Sequence, residues 1–157
     1  MIVLITGMSG TGKSTVAAEL GRRGLDVIHT DESGWCVPAD GDWSTPDNEW
    51  IWDEERIRPA IRAAGTGHLV IEGCRENQGH FYSRIDRVVV LTAPLDVMLD
   101  RALNRTNNAY GKEPRDQREI RRFKAEVEPL LISTCDLVID SSHDSPVAVA
   151  DRIEALL

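Results

Sequence analysis

The stretch Gly7-Met8-Ser9-Gly10-Thr11-Gly12-Lys13-Ser14 decides the fold of this 157-residue chain. It matches the phosphate-binding pattern G-x-x-x-x-G-K-[ST] at every fixed position. The residues before it, Ile2–Thr6, are a short run of β-forming residues, and the pattern after it predicts a helix from Lys13. A strand, a glycine-rich turn and a helix start are the context in which this pattern binds phosphate.

Each residue type in this loop has a physical task. The glycines let the backbone curl, so that successive N–H groups point at phosphate oxygens. We predict that Lys13 reaches the β- and γ-phosphates and that the Ser14 hydroxyl is a ligand of Mg²⁺. The sequence therefore predicts an ATP site with Mg²⁺ in residues 7–15, formed by Gly7, Met8, Ser9, Gly10, Thr11, Gly12, Lys13, Ser14 and Thr15.

Short runs rich in Val, Ile and Leu alternate with helical patterns along the chain. Continuous apolar runs of this length are typical of buried parallel strands. The alternation predicts an α/β sheet with helices on both faces and ligands at the carboxyl ends of the strands. The predicted strands are 2–6, 26–30, 68–71, 87–92 and 136–139.

The helical stretches are predicted from apolar spacing and from capping residues. In the stretch 94–105, the residues Leu95, Leu99, Ala102 and Leu103 share one face. The stretch 115–128 ends before Pro129, where we expect a break or kink. Three further helices are predicted. The first begins at Lys13 and ends near Gly24, the second covers about 48–64, and the last begins at Ser145-Pro146.

Composition excludes several classes of protein. Hydrophobic residues make up 41% and charged residues 28% of the chain, which is typical of a globular domain. The net charge of −8 argues against a dedicated nucleic-acid binder, and the chain has no run of 18 apolar residues that would cross a membrane. Its three cysteines form no C-x-x-C pair, so we expect a reducing, cytoplasmic setting without a structural metal.

The charge is unevenly distributed. Residues 26–56 carry ten acidic and one basic residue, whereas residues 101–124 carry eight basic and three acidic residues. The basic segment is interpreted either as a solvated face or as a local anion site in an acidic protein.

The phosphate-binding loop, the acidic residue after the second strand, the arginines after the fourth strand and the final strand–Ser-Pro–helix unit resemble the small P-loop kinases. The resemblance is to the shikimate kinase, gluconate kinase and adenylate kinase group, and it covers nearly the whole chain. It implies a single domain over residues 1–157 with the three-layer P-loop NTPase fold and a five-stranded parallel sheet in the order 2-3-1-4-5. It also implies a substrate-binding region at about 32–64 and a short lid at about 106–118.

Asp31 ends the second predicted strand at the same sheet edge as the loop. A carboxylate at this edge can accept the proton of an attacking hydroxyl, and the alternative is that Asp31 only caps a loop. In shikimate kinases two aspartates stand here; Asp31 aligns with the second and His29 with the first. Glu72, at the end of the third strand, is a candidate for the acidic residue that contacts Mg²⁺ through water.

Further residues are candidates for binding the acceptor. Arg75 follows the third strand and is suited to a substrate anion, and Arg56 is placed like the arginine that holds the substrate carboxylate in shikimate kinases. All four tryptophans lie between positions 35 and 52, and such a cluster either lines a pocket or packs a core. We predict that at least one of them, Trp52, contacts the acceptor. Shikimate kinases carry a further arginine where this chain has Val127, which argues against shikimate itself.

Arg101 and Arg105 are four residues apart on the predicted helix 94–105, opposite its apolar face. Like charges at this spacing repel unless an anion lies between them. We predict that both contact the nucleotide and that Arg101 is catalytic, with Arg115 as a weaker lid candidate; a solvated face is the alternative.

These patterns predict an ATP-dependent phosphotransferase that moves the γ-phosphoryl group to a small hydroxylated or phosphorylated metabolite, either a nucleoside or nucleotide or a sugar-like acid. The predicted catalytic residues are Lys13, Asp31 and Arg101. The expected partner is a small-molecule acceptor, without nucleic acid or membrane, and the protein is expected to be a monomer or homodimer. The alternative is a nucleotide-dependent ATPase or switch that acts through a protein partner.

Overall fold

The computed structural model describes residues 1–32, 34–44 and 49–157. Its main sheet has five parallel strands in the spatial order β2-β5-β1-β6-β7. Numbered among themselves these strands have the order 2-3-1-4-5, so the predicted topology is confirmed. The strands are β1 (Ile2–Thr6), β2 (Asp26–His29), β5 (Leu69–Glu72), β6 (Arg87–Thr92) and β7 (Leu137–Asp140).

Helices cover both faces of this sheet, because alternate residues of each strand point to opposite faces. Val3 and Ile5 of β1 lie in one buried cluster, while Leu4 lies in another. The helices are α1 (Lys13–Arg22), α2 (Glu54–Ala63), α3 (Leu95–Asn104), α4 (Pro114–Glu126), α5 (Glu128–Thr134) and α6 (Pro146–Glu154), with a 3₁₀ helix at Glu76–Arg84. No helix in the described part of the chain is long and apolar enough to cross a membrane.

The predicted helix over 48–64 is wrong in its first part. Trp50–Trp52 form β4, which pairs antiparallel with β3 (Cys36–Pro38). Trp and Ile favour a pleated, half-buried surface, and this preference prevails before the helix begins. Asp53 then caps α2, because its carboxylate accepts the N–H of Glu55. Asn48, the predicted start, lies outside the described residues.

The buried face of α3 also differs from the prediction. Met98 and Ala102 are fully buried, whereas Leu103 is 48% exposed. Arg101 lies next to this buried face in the helical order, so its side chain is half-buried instead of pointing away from the core. The side chains of Arg101 and Arg105 lie between α3 and the phosphate-binding loop, because they bond to Gly10 and Ser9 of that loop.

The two C-terminal boundaries follow the sequence signals. The helical conformation is interrupted between α4 and α5. Pro129 lies in the first turn of α5, where its missing N–H removes no helical hydrogen bond. Ser145 caps α6 by accepting the N–H of Ala148, as the Ser-Pro signal predicts.

Candidate active site

The phosphate-binding loop connects β1 to α1, and its backbone requires glycine. Gly7, Gly10 and Gly12 have φ angles of 141°, 86° and 88°. A Cβ on Gly7 would lie 2.2 Å from the carbonyl oxygen of Leu91, and one on Gly10 would lie 2.4 Å from that of Met98. The loop is thus packed against β6 and α3 at distances that exclude any side chain at these two positions.

Lys13 is the first residue of α1 and lies against the loop that precedes it. Its ammonium donates a hydrogen bond to the Met8 carbonyl oxygen at 3.1 Å. The first turn of α1 holds no acidic residue, so the positive end of the helix is not compensated by its own side chains. An ammonium beside the free N–H groups of a helix start forms an anion site suited to phosphate.

Ser14 faces a buried carboxylate. Its hydroxyl donates to Glu72 Oε1 at 3.2 Å, and Glu72, at the end of β5, is 1% exposed. His29 Nδ1 lies 3.2 Å from the other carboxylate oxygen. Hydroxyl and carboxylate oxygens are the ligands that Mg²⁺ takes directly or through water, together with nucleotide phosphates. The residues present therefore fit the ion, although in the described residues no three His, Cys, Asp or Glu side chains form a group that could hold a metal by themselves.

We expect Ser14→Ala to raise the Mg²⁺ concentration for half-maximal activity by about tenfold or more, since it removes an oxygen from this group. The measurement is a Mg²⁺ titration of turnover at fixed ATP. Ser133→Ala, which alters an exposed hydroxyl bonded within α5, is the matched control. An unchanged Mg²⁺ dependence would remove Ser14 from the metal site.

Asp31 and Arg75 meet at the carboxyl edge of the sheet. Arg75 Nη2 donates to Asp31 Oδ1 at 2.6 Å, and the two side chains are 32% and 51% exposed. Gly73 lies against Thr30, the residue before Asp31, because a Cβ at Gly73 would lie 1.9 Å from Thr30 Oγ1. The Cys36 thiol lies beside the pair; burial raises its pKa, and the Arg75 guanidinium opposes that shift.

The other predicted acceptor residues have different surroundings. Arg56 donates to the Gly34 carbonyl oxygen at 2.5 Å, and its guanidinium lies 5.6 Å from the ring centre of Trp35. Both contacts place it on the loop that follows Asp31. Trp52 is fully buried, with its ring centre 5.4 Å from that of Phe81. Its predicted contact with the acceptor is corrected, because the side chain is part of the core.

Arg101 joins the phosphate-binding loop to the end of β7. Its guanidinium donates to the Gly10 carbonyl oxygen at 3.3 Å, to Ser141 Oγ at 3.1 Å and to the Ser141 carbonyl oxygen at 2.8 Å. Ser141 Oγ in turn donates to the Thr11 carbonyl oxygen at 2.7 Å. Through these bonds the carbonyl oxygens of two loop residues, Gly10 and Thr11, have side-chain donors.

Arg105 lies on the other side of the loop. It donates to Ser9 Oγ at 3.1 Å and to the Tyr110 carbonyl oxygen at 2.7 Å. Burial lowers the pKa of Arg105, while Tyr110 and, to a smaller extent, Asp31 oppose this shift.

We expect Arg101→Ala and Arg105→Ala each to lower kcat/KM by at least about tenfold, or 1.4 kcal/mol, because each removes a cation bonded to the phosphate-binding loop. Steady-state kinetics with ATP varied would measure the effect, and Arg121→Ala, at an exposed position of α4, is the control. Full activity in both α3 variants would reduce the basic segment to a solvated surface.

The predicted lid, about 106–118, is folded against α3 and α4. Gly111 has a φ of 98°, and a Cβ there would lie 2.6 Å from Ala102 Cβ. The Gly111 N–H is accepted by Asp116, and the Tyr110 hydroxyl donates to Glu119. Arg115 lies in the first turn of α4, on an exposed position. Its role and the lid itself stay predictions.

Two residues escaped the sequence analysis. Asn77 and Gln78 of the 3₁₀ helix are 8% and 4% exposed, and their amides bond to Trp52 and Thr6. The segment Glu76–Arg84 has too few apolar residues for a periodic pattern from which burial could be inferred. The one available signal is a pair of polar amides shortly after a buried strand.

This fold and this loop define a P-loop nucleotide-binding domain. A family model described as AAA domain matches residues 3–124. The chain therefore belongs to the AAA-domain family. Its curated relatives are shikimate kinases, and within this family the chain is a small P-loop kinase of the shikimate kinase-like group, an ATP-dependent small-molecule kinase.

Comparisons with individual proteins agree with this assignment. The chain is 29% identical to a shikimate kinase of Halorhodospira halophila, over 98% of this chain and 92% of that protein. It is 25% identical to one of Chromohalobacter salexigens, over 96% and 88%. Among solved structures, a shikimate kinase from Acinetobacter baumannii in complex with shikimate has a TM-score of 0.66 at 18% identity, covering 99% of this chain and 91% of that one. A shikimate kinase from Aquifex aeolicus has a TM-score of 0.55 at 18% identity, covering 99% and 95%. These two structures bear on the fold alone.

Proposed function

We propose that this kinase transfers the γ-phosphoryl group of ATP to a hydroxyl of a small metabolite that also carries an anionic group, a nucleotide or a sugar-like acid. The observation that carries this proposal is the Asp31–Arg75 ion pair at the same sheet edge as the phosphate-binding loop. One partner can activate a hydroxyl and the other can bind an anion, so together they favour an acceptor with both groups.

The nucleotide is assigned to the loop. Lys13 and the N–H groups of residues 7–15 hold the phosphates. Arg105, at the end of α3, adds a further positive charge beside the loop. Mg²⁺, when bound, neutralises phosphate charge and orients the γ-phosphate. Ser14 is its ligand in this proposal, and Glu72 contacts it through water.

The acceptor is assigned to the opposite side of the cleft. An ion pair as exposed as Asp31–Arg75 contributes about 0–1 kcal/mol, so an acceptor anion can take Arg75 with little cost. When the acceptor anion replaces Asp31 as the partner of Arg75, the Asp31 carboxylate becomes available to the acceptor hydroxyl. It then holds the hydroxyl in line and accepts its proton. Arg56 of α2, which contacts Gly34 and Trp35 in the loop after Asp31, is a second cation for the acceptor anion.

The remaining assignments complete this proposal. One domain, residues 1–157, carries an acceptor region at about 32–64 and a lid at about 106–118. The protein acts in the cytoplasm as a monomer or homodimer, without nucleic acid or membrane.

A coupled ADP-release screen over nucleosides, nucleotides, sugars, sugar acids and shikimate tests the proposal. Strong ADP release is expected with one hydroxyl acceptor that bears a carboxylate or phosphate, and much weaker release with its uncharged counterpart. Arg75→Ala should raise the KM for the charged acceptor and leave that for ATP unchanged. Slow release that is indifferent to every acceptor would contradict the proposal and support an ATPase or switch.

A further inference from the structure

Two adjacent buried amides lie between the acceptor region and the phosphate-binding loop. Asn77 makes a two-point contact with the backbone of Trp52: its Oδ1 accepts the Trp52 N–H at 2.9 Å, and its Nδ2 donates to the Trp52 carbonyl oxygen at 3.0 Å. Trp52 ends β4, the second strand of what we call the acceptor hairpin, Cys36–Pro38 with Trp50–Trp52.

Gln78, the next residue, makes its contacts in another direction. Its Oε1 accepts the hydroxyl of Thr6 at 3.1 Å, and its Nε2 donates to the Tyr82 hydroxyl at 2.9 Å. Thr6 is fully buried, ends β1 and immediately precedes Gly7 of the phosphate-binding loop. Consecutive side chains thus bind the acceptor hairpin and the strand that leads into the loop.

The acceptor hairpin needs such a connection. Its two strands form a separate two-stranded sheet, and in the described residues neither strand pairs with the main sheet. An apolar side chain at position 77 would fill the space but leave the buried N–H and C=O of Trp52 without these partners, which is unfavourable for buried backbone groups. The side-chain amide of Asn77 therefore fixes the orientation of the Trp52 backbone by hydrogen bonds, in addition to filling the space.

We propose that Asn77 and Gln78 are positioning residues that hold the acceptor hairpin at a fixed place relative to the phosphate-binding loop. Neither residue contacts the reacting atoms. They act through Trp52 and Thr6, so that the acceptor hydroxyl lies in line with the γ-phosphate. The catalytic part of this inference rests on the proposed function, whereas the mechanical connection does not.

A pair of substitutions at Thr6 separates positioning from packing. Thr6→Val keeps the shape of the side chain and removes the hydroxyl that Gln78 accepts. Thr6→Ser keeps the hydroxyl and removes a methyl group, which leaves a small cavity. A packing role alone would make the two variants similar or the serine variant worse.

We expect Thr6→Val to lower kcat by at least about tenfold at saturating substrates, because small misplacements of reacting groups are costly, and to change the dissociation constant of MgADP less than about twofold. Thr6→Ser should keep kcat within about twofold of the unaltered protein. Asn77→Asp, which sets a carboxylate against the Trp52 carbonyl, should raise the acceptor KM without weakening MgADP binding. Unchanged kcat in a folded Thr6→Val variant would overturn the proposal. This test does not depend on Asn77→Asp, so it decides the question even if Asn77→Asp does not fold.

Amide hydrogen exchange tests the mechanical connection in the absence of any acceptor. In Thr6→Val, the amides of the acceptor hairpin should exchange at least about tenfold faster, while those of β1 and β6 keep their protection. Equal acceleration across all strands would indicate general destabilisation and overturn the proposal. If no acceptor is ever phosphorylated but the hairpin alone is loosened, the proposed function fails and the mechanical connection stands.

Discussion

Replacement of Lys13 by alanine is expected to reduce phosphoryl transfer to background while the fold is retained. The ammonium lies on the Met8 carbonyl oxygen at the surface of the phosphate-binding loop, and Lys13 belongs to none of the apolar core clusters formed by the described residues. Losing one preorganised donor to a developing charge costs about 10²–10³-fold in kcat, and this donor also carries the positive charge that faces the phosphates.

The measurement for Lys13→Ala is turnover together with circular dichroism and thermal unfolding. Arg87→Ala is the matched control, because Arg87 is an exposed cation at the amino end of β6, the opposite edge of the sheet from the loop. Normal turnover in a folded Lys13→Ala protein would refute the assignment of the loop to the nucleotide.

The second large effect is expected at Asp31. Asp31→Asn keeps the size of the side chain but removes the charge that accepts the hydroxyl proton, so kcat should fall by about 10²–10⁴-fold. The KM for ATP should change far less, because the carboxylate faces Arg75 and the acceptor side of the cleft. Steady-state kinetics with each substrate varied in turn would separate the two effects.

Asp26→Asn is the control for Asp31→Asn, since Asp26 is an exposed aspartate at the amino end of the same strand, β2. A kcat within about twofold of the unaltered enzyme in Asp31→Asn would make Asp31 a structural cap. The same measurement would then require another group to take the acceptor proton.

The positions of the main strands along the chain were predictable because their signals are local. A buried parallel strand is a short apolar run, and the resemblance carried by the loop and by three further positions implied the strand order. The acceptor hairpin was not predicted as strands. Trp50-Ile51-Trp52 precedes a helical pattern without a turn signal, and its pairing with Cys36–Pro38 is a contact between distant residues.

The candidate site divides in the same way. The phosphate-binding loop was predicted residue by residue, because its glycines and its lysine act where they stand in the chain. The partners of the arginines were not predictable. Arg101 bonds to Ser141, which is 40 residues away, and Arg75 bonds to Asp31, which is 44 residues away.

The sequence by itself determined the loop, the alternation of strands and helices, and thus the edge of the sheet to which we assign the nucleotide and the acceptor. These follow from short-range backbone preferences and from apolar spacing. Only the tertiary structure decided which polar side chains are bonded to one another, and which tryptophan is core. Trp52 is buried on Phe81, and Asn77 and Gln78 connect two separate sheets, because burial is set by what packs above a residue and not by its neighbours in the chain.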